Sequence, residues 1–242
     1  MARKLRSPLS GINSRIIDCR ACDRLVAHRE HIGRVKRRAY RDEDYWARAV
    51  PSFGDENARL LILGLAPAAH GANRTGRMFT GDNSGDWLYR ALHRAGFASQ
   101  ASSTARDDGL VLRDAYITAA GHCAPPDNKP TREELARCNP YLIEEFDVFI
   151  SRRRRPLVIL ALGGIGFRAA LDALRTVGVA IPSPQPRFGH LAEFSLERGI
   201  TLLASYHPSR QNTQTGRLTE DMLDAVFTRS RQIISRRRGS GA

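Results

Sequence analysis

After residue 50 the chain is punctuated by four short apolar runs, residues 59–64, 114–120, 156–162 and 200–206. Unbroken Leu/Ile/Val/Ala runs of this length mark strands buried on both faces, as parallel-sheet strands are. Between them, residues 82–95, 131–152 and 166–177 carry helix-like patterns of apolar and polar positions. Strands alternating with helices predict an α/β fold whose parallel strands are joined by right-handed crossovers. Residues 51–55, Pro-Ser-Phe-Gly-Asp, read as a turn, and the proline-rich segment 180–195 reads as a loop followed by a short edge strand. No internal repeat is visible.

The flanks have a different character. Residues 1–50 are polar and basic with no clear strand, and they read as an extension packed on the α/β unit. Residues 1–8 and 235–242 read as solvated ends, and the arginine run 152–155 as a solvated helix end. A length of 242 residues suits a single domain spanning 1–242.

Charge narrows the class of partner. The 38 basic residues outnumber 25 acidic ones for a net charge of +13, which favours an anionic partner such as a nucleic-acid backbone. All the basic residues but Lys4, Lys36 and Lys129 are arginines. No apolar run approaches the length of a membrane span, and no basic leader precedes an apolar h-region. The expectation is a cytoplasmic, nucleoid-associated protein acting on no membrane.

In open parallel sheets, ligands bind beyond the carboxyl ends of the strands. The loops there begin at Gly64, Ala120, Gly163 and His207, and three of the four hold unusual clusters. The first, residues 64–85, contains glycines 64, 71, 76, 81 and 85, with Pro67 fixing an early turn, so that backbone can approach a ligand closely. Gly64, Ala66, Pro67 and His70 are its candidate ligand-contacting positions. Asp82 near its end is either a catalytic carboxylate or a helix cap. The loop lacks the Walker and dinucleotide patterns, which excludes ATP and NAD sites of those types.

The second loop, residues 120–131, places Asn128 in a proline-flanked turn, where it is either an Asx-turn residue or a reader of a pyrimidine edge. The fourth loop opens on His207, a candidate donor to a departing anion. Ser209, Arg210, Asn212 and Arg217 follow it and suit phosphate contacts. Four cysteines, Cys19, Cys22, Cys123 and Cys138, are spaced C-x2-C and C-x14-C. In an intracellular protein they point to a structural metal, zinc or iron–sulfur, which spacing alone does not separate.

The loops at 64–85 and 207–219, taken with the four cysteines, resemble those of type b (family 5) uracil-DNA glycosylases. The resemblance covers most of the chain, from Cys19 to about Thr219. It implies a three-layer α/β/α sandwich around a four-stranded parallel sheet. By likeness to the related family 4 enzymes it also implies a [4Fe–4S] cluster on Cys19, Cys22, Cys123 and Cys138, with residues 1–50 as a cluster-binding extension. Where much of the superfamily carries an Asp or Asn, this chain has Ala66, which cannot activate water. The resemblance therefore moves the catalytic carboxylate to Asp82 and carries the leaving-group histidine over to His207. Ala119 or Ala120 stands where other branches carry a pyrimidine-reading Asn, which leaves Asn128 as the candidate. The implied reaction is hydrolysis of the N-glycosidic bond of uracil and other deaminated bases in DNA by a monomeric, monofunctional enzyme. Ala66 also leaves open a catalytically silent iron–sulfur nucleic-acid binder, and a small-molecule nucleoside hydrolase is a third reading.

Overall fold

The computed structural model describes residues 7–152 and 155–236. Its sheet has six strands: β1 Phe53–Gly54, β2 Leu60–Gly64, β3 Ala115–Ala119, β4 Leu157–Leu162, β5 Glu193–Leu196 and β6 Ile200–Ser205. They lie in the order β1-β3-β2-β4-β6-β5. The four apolar runs are the parallel centre, β3-β2-β4-β6. The expected four-stranded sheet is thus corrected to six by an antiparallel strand at each edge. One of them lies inside the segment expected to be a turn, where Phe53 pairs with Ile117 and Gly54 with Tyr116. Two residues are too few to show a strand period. The other, β5, is the edge strand expected at the end of the 180–195 segment.

Eight helices complete the described fold: α1 Pro8–Asp18, α2 Asp23–Val35, α3 Ala72–Thr75, α4 Asn83–Arg94, α5 Arg132–Ser151, α6 Gly164–Thr176, α7 Arg210–Gln214 and α8 Glu220–Ser235. Side chains alternate across a strand, and the central strands divide accordingly. Leu60, Ile62, Ile117, Val158, Leu160 and Leu203 pack with Leu88, Leu92, Val226 and Phe227 of α4 and α8. Leu61, Leu63, Tyr116, Ile159 and Leu202 pack with Leu9, Ile16, Phe146, Phe149 and Leu171 of α1, α5 and α6. Helices therefore cover both faces, giving three layers.

Local signals fix the helix starts. Thr131 and Glu134 form a reciprocal capping box at the head of α5, and Ser7 caps α1 with proline in its first turn. The basic N-terminal region thus contains two helices. Pro8, expected within a solvated end, begins one of them; residues 1–6 lie outside the described residues. Likewise Ser235 closes α8, whereas residues 237–242 of the expected tail lie outside. Of the run 152–155, Arg152 donates to the Glu56 carbonyl and Arg155 to Ile150 O at 2.9 Å, while residues 153–154 lie outside.

The parallel register aligns Gly64 with Ala119 and Leu162 with Ser205. Pairing continues past the strands, with Ala120 N donating to Gly64 O and Gly121 N to Leu65 O. The first, second and fourth loops consequently leave the same edge of the sheet.

Candidate active site

The first loop is folded onto itself by an internal arginine. Arg74, almost fully buried, donates through Nε to His70 O at 2.8 Å and through Nη2 to Gly81 O at 2.9 Å. Its remaining nitrogen pairs with Glu43, and its guanidinium lies over Tyr40 at 3.9 Å. The hydroxyl of Tyr45 and Nδ1 of His70 are 3.0 Å apart. The segment before β1 therefore clamps this loop. Tyr45 and Arg74, the partners of His70 among the described residues, belong to this clamp, and burial, with Arg37 and Arg74 nearby, holds its imidazole below the ordinary value.

Asp82 is a helix cap in the structure, with one carboxylate oxygen left over from that role. It is the N-cap of α4, accepting from Gly85 N at 3.0 Å through Oδ1. Its other oxygen, Oδ2, faces Gly71 so closely that a Cβ there would stand 1.9 Å away. Burial raises this carboxyl above its ordinary value, with the Gly85 and Ser84 N–H groups opposing the rise.

His207 directly follows β6. Burial pushes its imidazole down to about 4, so it is neutral at physiological pH and has an N–H to donate. Its carbonyl accepts from Asn212 Nδ2 at 2.8 Å, which ties the fourth loop together. The imidazole stacks on Phe79, with centroids 5.7 Å apart and planes at 30°. Phe79 in turn lies over Gly64, where a Cβ would meet its ring at 3.0 Å. Gly64 thus admits the ring that joins the first loop to the fourth. Phe79 has a φ of +53°, an uncommon conformation for an aromatic residue.

The remaining candidates fall into two groups. Ala66 and Pro67 line the first loop, Pro67 being buried. Ser209 precedes α7, Arg210 and Arg217 are exposed, and Arg217 lies over the Tyr206 ring at 4.6 Å. Asn128 is exposed with a φ of +56°, the left-handed turn conformation that asparagine tolerates. No contact between Asn128 and Asp82 or His207 is recorded among the described residues.

The cysteines gather elsewhere. Cys19 ends α1, Cys22 precedes α2, Cys123 lies in the second loop and Cys138 in α5, and all four line one pocket with Leu25, Val26, Ala49 and Tyr141. Burial pushes the Cys138 thiol up to about 12, raised further by Cys123, Cys19 and Cys22, against the His122 N–H donated at 3.3 Å. Burial likewise raises Cys22 and Cys123. Among the described residues no three His, Cys, Asp or Glu side chains close on a single metal ion.

The sequence reading missed Phe79, Arg74 and Tyr45. An aromatic residue in a glycine-rich loop shows no period, and a loop-folding arginine looks like one more basic residue in an arginine-rich chain.

A carboxylate and a neutral imidazole in loops at the carboxyl edge of a parallel sheet define a ligand-binding α/β protein of the open-sheet class. The sequence model of the uracil DNA glycosylase superfamily matches residues 51–229, and the chain belongs to that superfamily. It is 51% identical over 222 residues to the type-5 uracil-DNA glycosylase of Mycobacterium tuberculosis, covering 92% of this chain and 80% of that one. To the type-5 uracil-DNA glycosylase of Thermus thermophilus it is 51% identical over 216 residues, 89% of this chain and 93% of the relative. The type-4 uracil-DNA glycosylase of Pyrobaculum aerophilum is 31% identical over 168 residues, 68% of this chain and 74% of that one. Among the described residues no helix is long and apolar enough to cross a membrane.

Proposed function

We propose that this protein is a monofunctional DNA-repair glycosylase that hydrolyses the N-glycosidic bond of uracil in DNA, and of other deaminated bases such as hypoxanthine. The observation carrying this reading is the stacking of Phe79 on His207 across two loops that leave one edge of the sheet, with Asp82 in the same loop as Phe79. The similarity to type-5 uracil-DNA glycosylases supports it.

The target nucleotide must first leave the stack, at a cost that is lowest for a mispaired base. The base then packs against Phe79, an aromatic face that accepts any planar ring. As the bond between C1′ and the base nitrogen breaks, its electron pair goes to the base and positive charge develops on the sugar. The Asp82 carboxylate stabilises that cation and orients the attacking water. The neutral His207 imidazole donates its N–H to the base, which leaves as an anion. Water oxygen bonds to C1′, and its proton passes to solvent or to the departing base. Arg210 and Arg217 grip flanking phosphates with Ser209, and Asn128, exposed on its turn, meets the duplex rather than the pocket. The alanine-rich, weakly polar first loop, which includes Ala66, is in keeping with a broad range of bases.

The four cysteines fit an iron–sulfur cluster. They surround an apolar pocket, burial makes bare thiolates at Cys22, Cys123 and Cys138 unfavourable, and a [4Fe–4S] group offers one iron to each sulfur. Such a group supplies structural cross-links between α1, α2, the second loop and α5, and leaves hydrolysis to the residues above. Anaerobically purified protein is expected to be brown with about four iron atoms per chain; zinc in place of iron would rule this out.

The decisive activity experiment is base release from duplexes carrying uracil or hypoxanthine, with borohydride trapping alongside. Release of both bases with no trapped adduct is expected. Failure to release uracil overturns the reading, and an adduct at the exposed Lys129 overturns the monofunctional assignment.

A further inference from the structure

A guanidinium keeps its charge at every accessible pH, so a buried arginine calls for an anion. The buried arginines of the first loop obey this rule: Arg77 pairs with Asp108 at 2.7 Å, and Arg74 pairs with Glu43. Arg29, on α2, does not. It is only 1% exposed, yet among the described residues it takes part in no ion pair with a carboxylate. Its Nη1 donates to Cys123 Sγ at 2.9 Å and its Nη2 to the Cys19 carbonyl at 3.0 Å. Its Nε is buried without any partner. The neighbouring acid, Glu30, is engaged by Arg20 at 2.6 Å.

A buried cation with an unsatisfied donor, directed at one sulfur and one carbonyl of the cysteine set, is half of a charge pair. We propose that Arg29 is the internal counter-ion of the iron–sulfur site, a positioning residue that holds the Cys123 thiolate and tunes the cluster it ligates. This rests on the reading that the four cysteines carry such a cluster. Four thiolates give the assembled site a net negative charge in a dry pocket, and Arg29 is placed to compensate it. Two consequences follow. Dissociation of Cys123 would strand the guanidinium, so Arg29 slows iron loss. A positive charge and a hydrogen bond at a ligand sulfur favour the more negative, reduced cluster, so Arg29 raises the reduction potential.

The test compares wild type, Arg29→Gln and Arg29→Lys as full-length chains purified without air. It reads iron per chain, the decay of visible absorbance in excess chelator, and the potential by redox titration. Arg29→Gln keeps a donor and loses the charge. It should shed iron about 10- to 100-fold faster than wild type and titrate at a more negative potential. Arg29→Lys keeps the charge and loses the planar fork, so it should fall between the two. Arg29→Gln matching wild type in decay and potential overturns the proposal. Insolubility of both variants assigns the residue a packing role and overturns it too, whereas a folded but iron-free Arg29→Gln supports it. Wild-type protein lacking iron removes the cluster reading itself, an outcome recognisable before any variant is made.

Discussion

The Phe79 ring stacks on the His207 imidazole at 5.7 Å, joining a glycine-rich loop near the start of the fold to a loop that follows its last central strand. If that ring is also the surface on which the extruded base rests, removing it costs stacking without touching a charged group. Phe79→Ala should slow single-turnover release of uracil and hypoxanthine alike by roughly 5- to 150-fold, from about 1–3 kcal/mol of base–aromatic stacking. Phe79→Tyr, which keeps the face, should stay within a few fold. Equal rates for Phe79→Ala and wild type would move the base elsewhere.

In the proposed mechanism, Asp82 and His207 divide the charge of the transition state between sugar and base. Because all substrates share the sugar, Asp82→Ala should lower their cleavage by a common factor. His207→Ala should hurt the poorer leaving group more, since that base gains more from a donor in the transition state. Each loss should be about 100- to 1000-fold, the usual cost of one such group. Affinity for undamaged duplex should hardly change, because phosphate contacts dominate it. A near-wild-type rate for Asp82→Ala would sink the assignment and shift the role to a water held by loop backbone.

Much of the fold is legible in the sequence, and the failures have physical causes. The central strands announce themselves because both faces are buried, as Leu60–Gly64 and Ile200–Ser205 are. Position in a strand-end loop marks His207 as a candidate and leaves Asp82 between cap and catalyst; the family resemblance supplies the role proposed for Asp82. The strand at Phe53–Gly54 left no such trace because pairing of its backbone, not burial of its side chains, makes it a strand. The helix α1 hid in a basic region because its three buried residues, Leu9, Ile12 and Ile16, are spread over a mostly polar surface. Asn128 drew attention by its proline-flanked turn, and its positive φ shows the turn geometry at work. Contacts such as Phe79 with His207 are set by tertiary folding alone.

The space beside Asp82 gives a control that leaves the carboxylate in place. A methyl on Gly71 would stand 1.9 Å from Asp82 Oδ2, so Gly71→Ala must displace that oxygen or the loop. The methyl would also stand 2.7 Å from Asp82 Cγ, so the clash reaches the carbon that carries Oδ1, the oxygen capping Gly85 N. Gly71→Ala is therefore expected to mimic much of the Asp82→Ala rate loss, with a drop in thermal stability no larger than about 0.5–2 kcal/mol, the usual worth of a helix cap. Full activity in Gly71→Ala would show that the orientation of Oδ2 is irrelevant to the reaction.

The pH profile should reflect the neutrality of His207. Burial pushes its imidazole down to about 4, so it keeps the same protonation state throughout the neutral range. Burial holds Asp82 above its ordinary value of 3.8, and the proposed mechanism requires its carboxylate form. Single-turnover rates should thus fall on the acid side only, as Asp82 takes up its proton, with no step from His207 in the neutral range. A step with an apparent midpoint near about 6.5, abolished in His207→Asn, would mean that the imidazolium is the acting form.

Away from the site, Glu145 makes stability depend on pH in the opposite sense to an ordinary carboxylate. It is fully buried between α5 and β3, where burial pushes its carboxyl up to about 7. The hydroxyls of Thr118 at 2.6 Å and Tyr116 at 3.2 Å donate to it and only partly offset that rise. In the unfolded chain the same group titrates near 4.5. Between these values the folded protein holds a proton that the unfolded chain has lost, so stability falls as pH rises. Its contribution is complete below about 4.5 and is lost by the time pH passes about 7. The span corresponds to a loss on the order of 3 kcal/mol. Glu145→Gln removes the titration while keeping an acceptor for Thr118 or Tyr116. Denaturant unfolding of both proteins at several pH values reads the difference directly. Relative to wild type, Glu145→Gln should gain stability steadily as pH rises through this range. A wild-type-minus-variant difference that stays constant with pH would show that Glu145 is not held protonated in the folded protein.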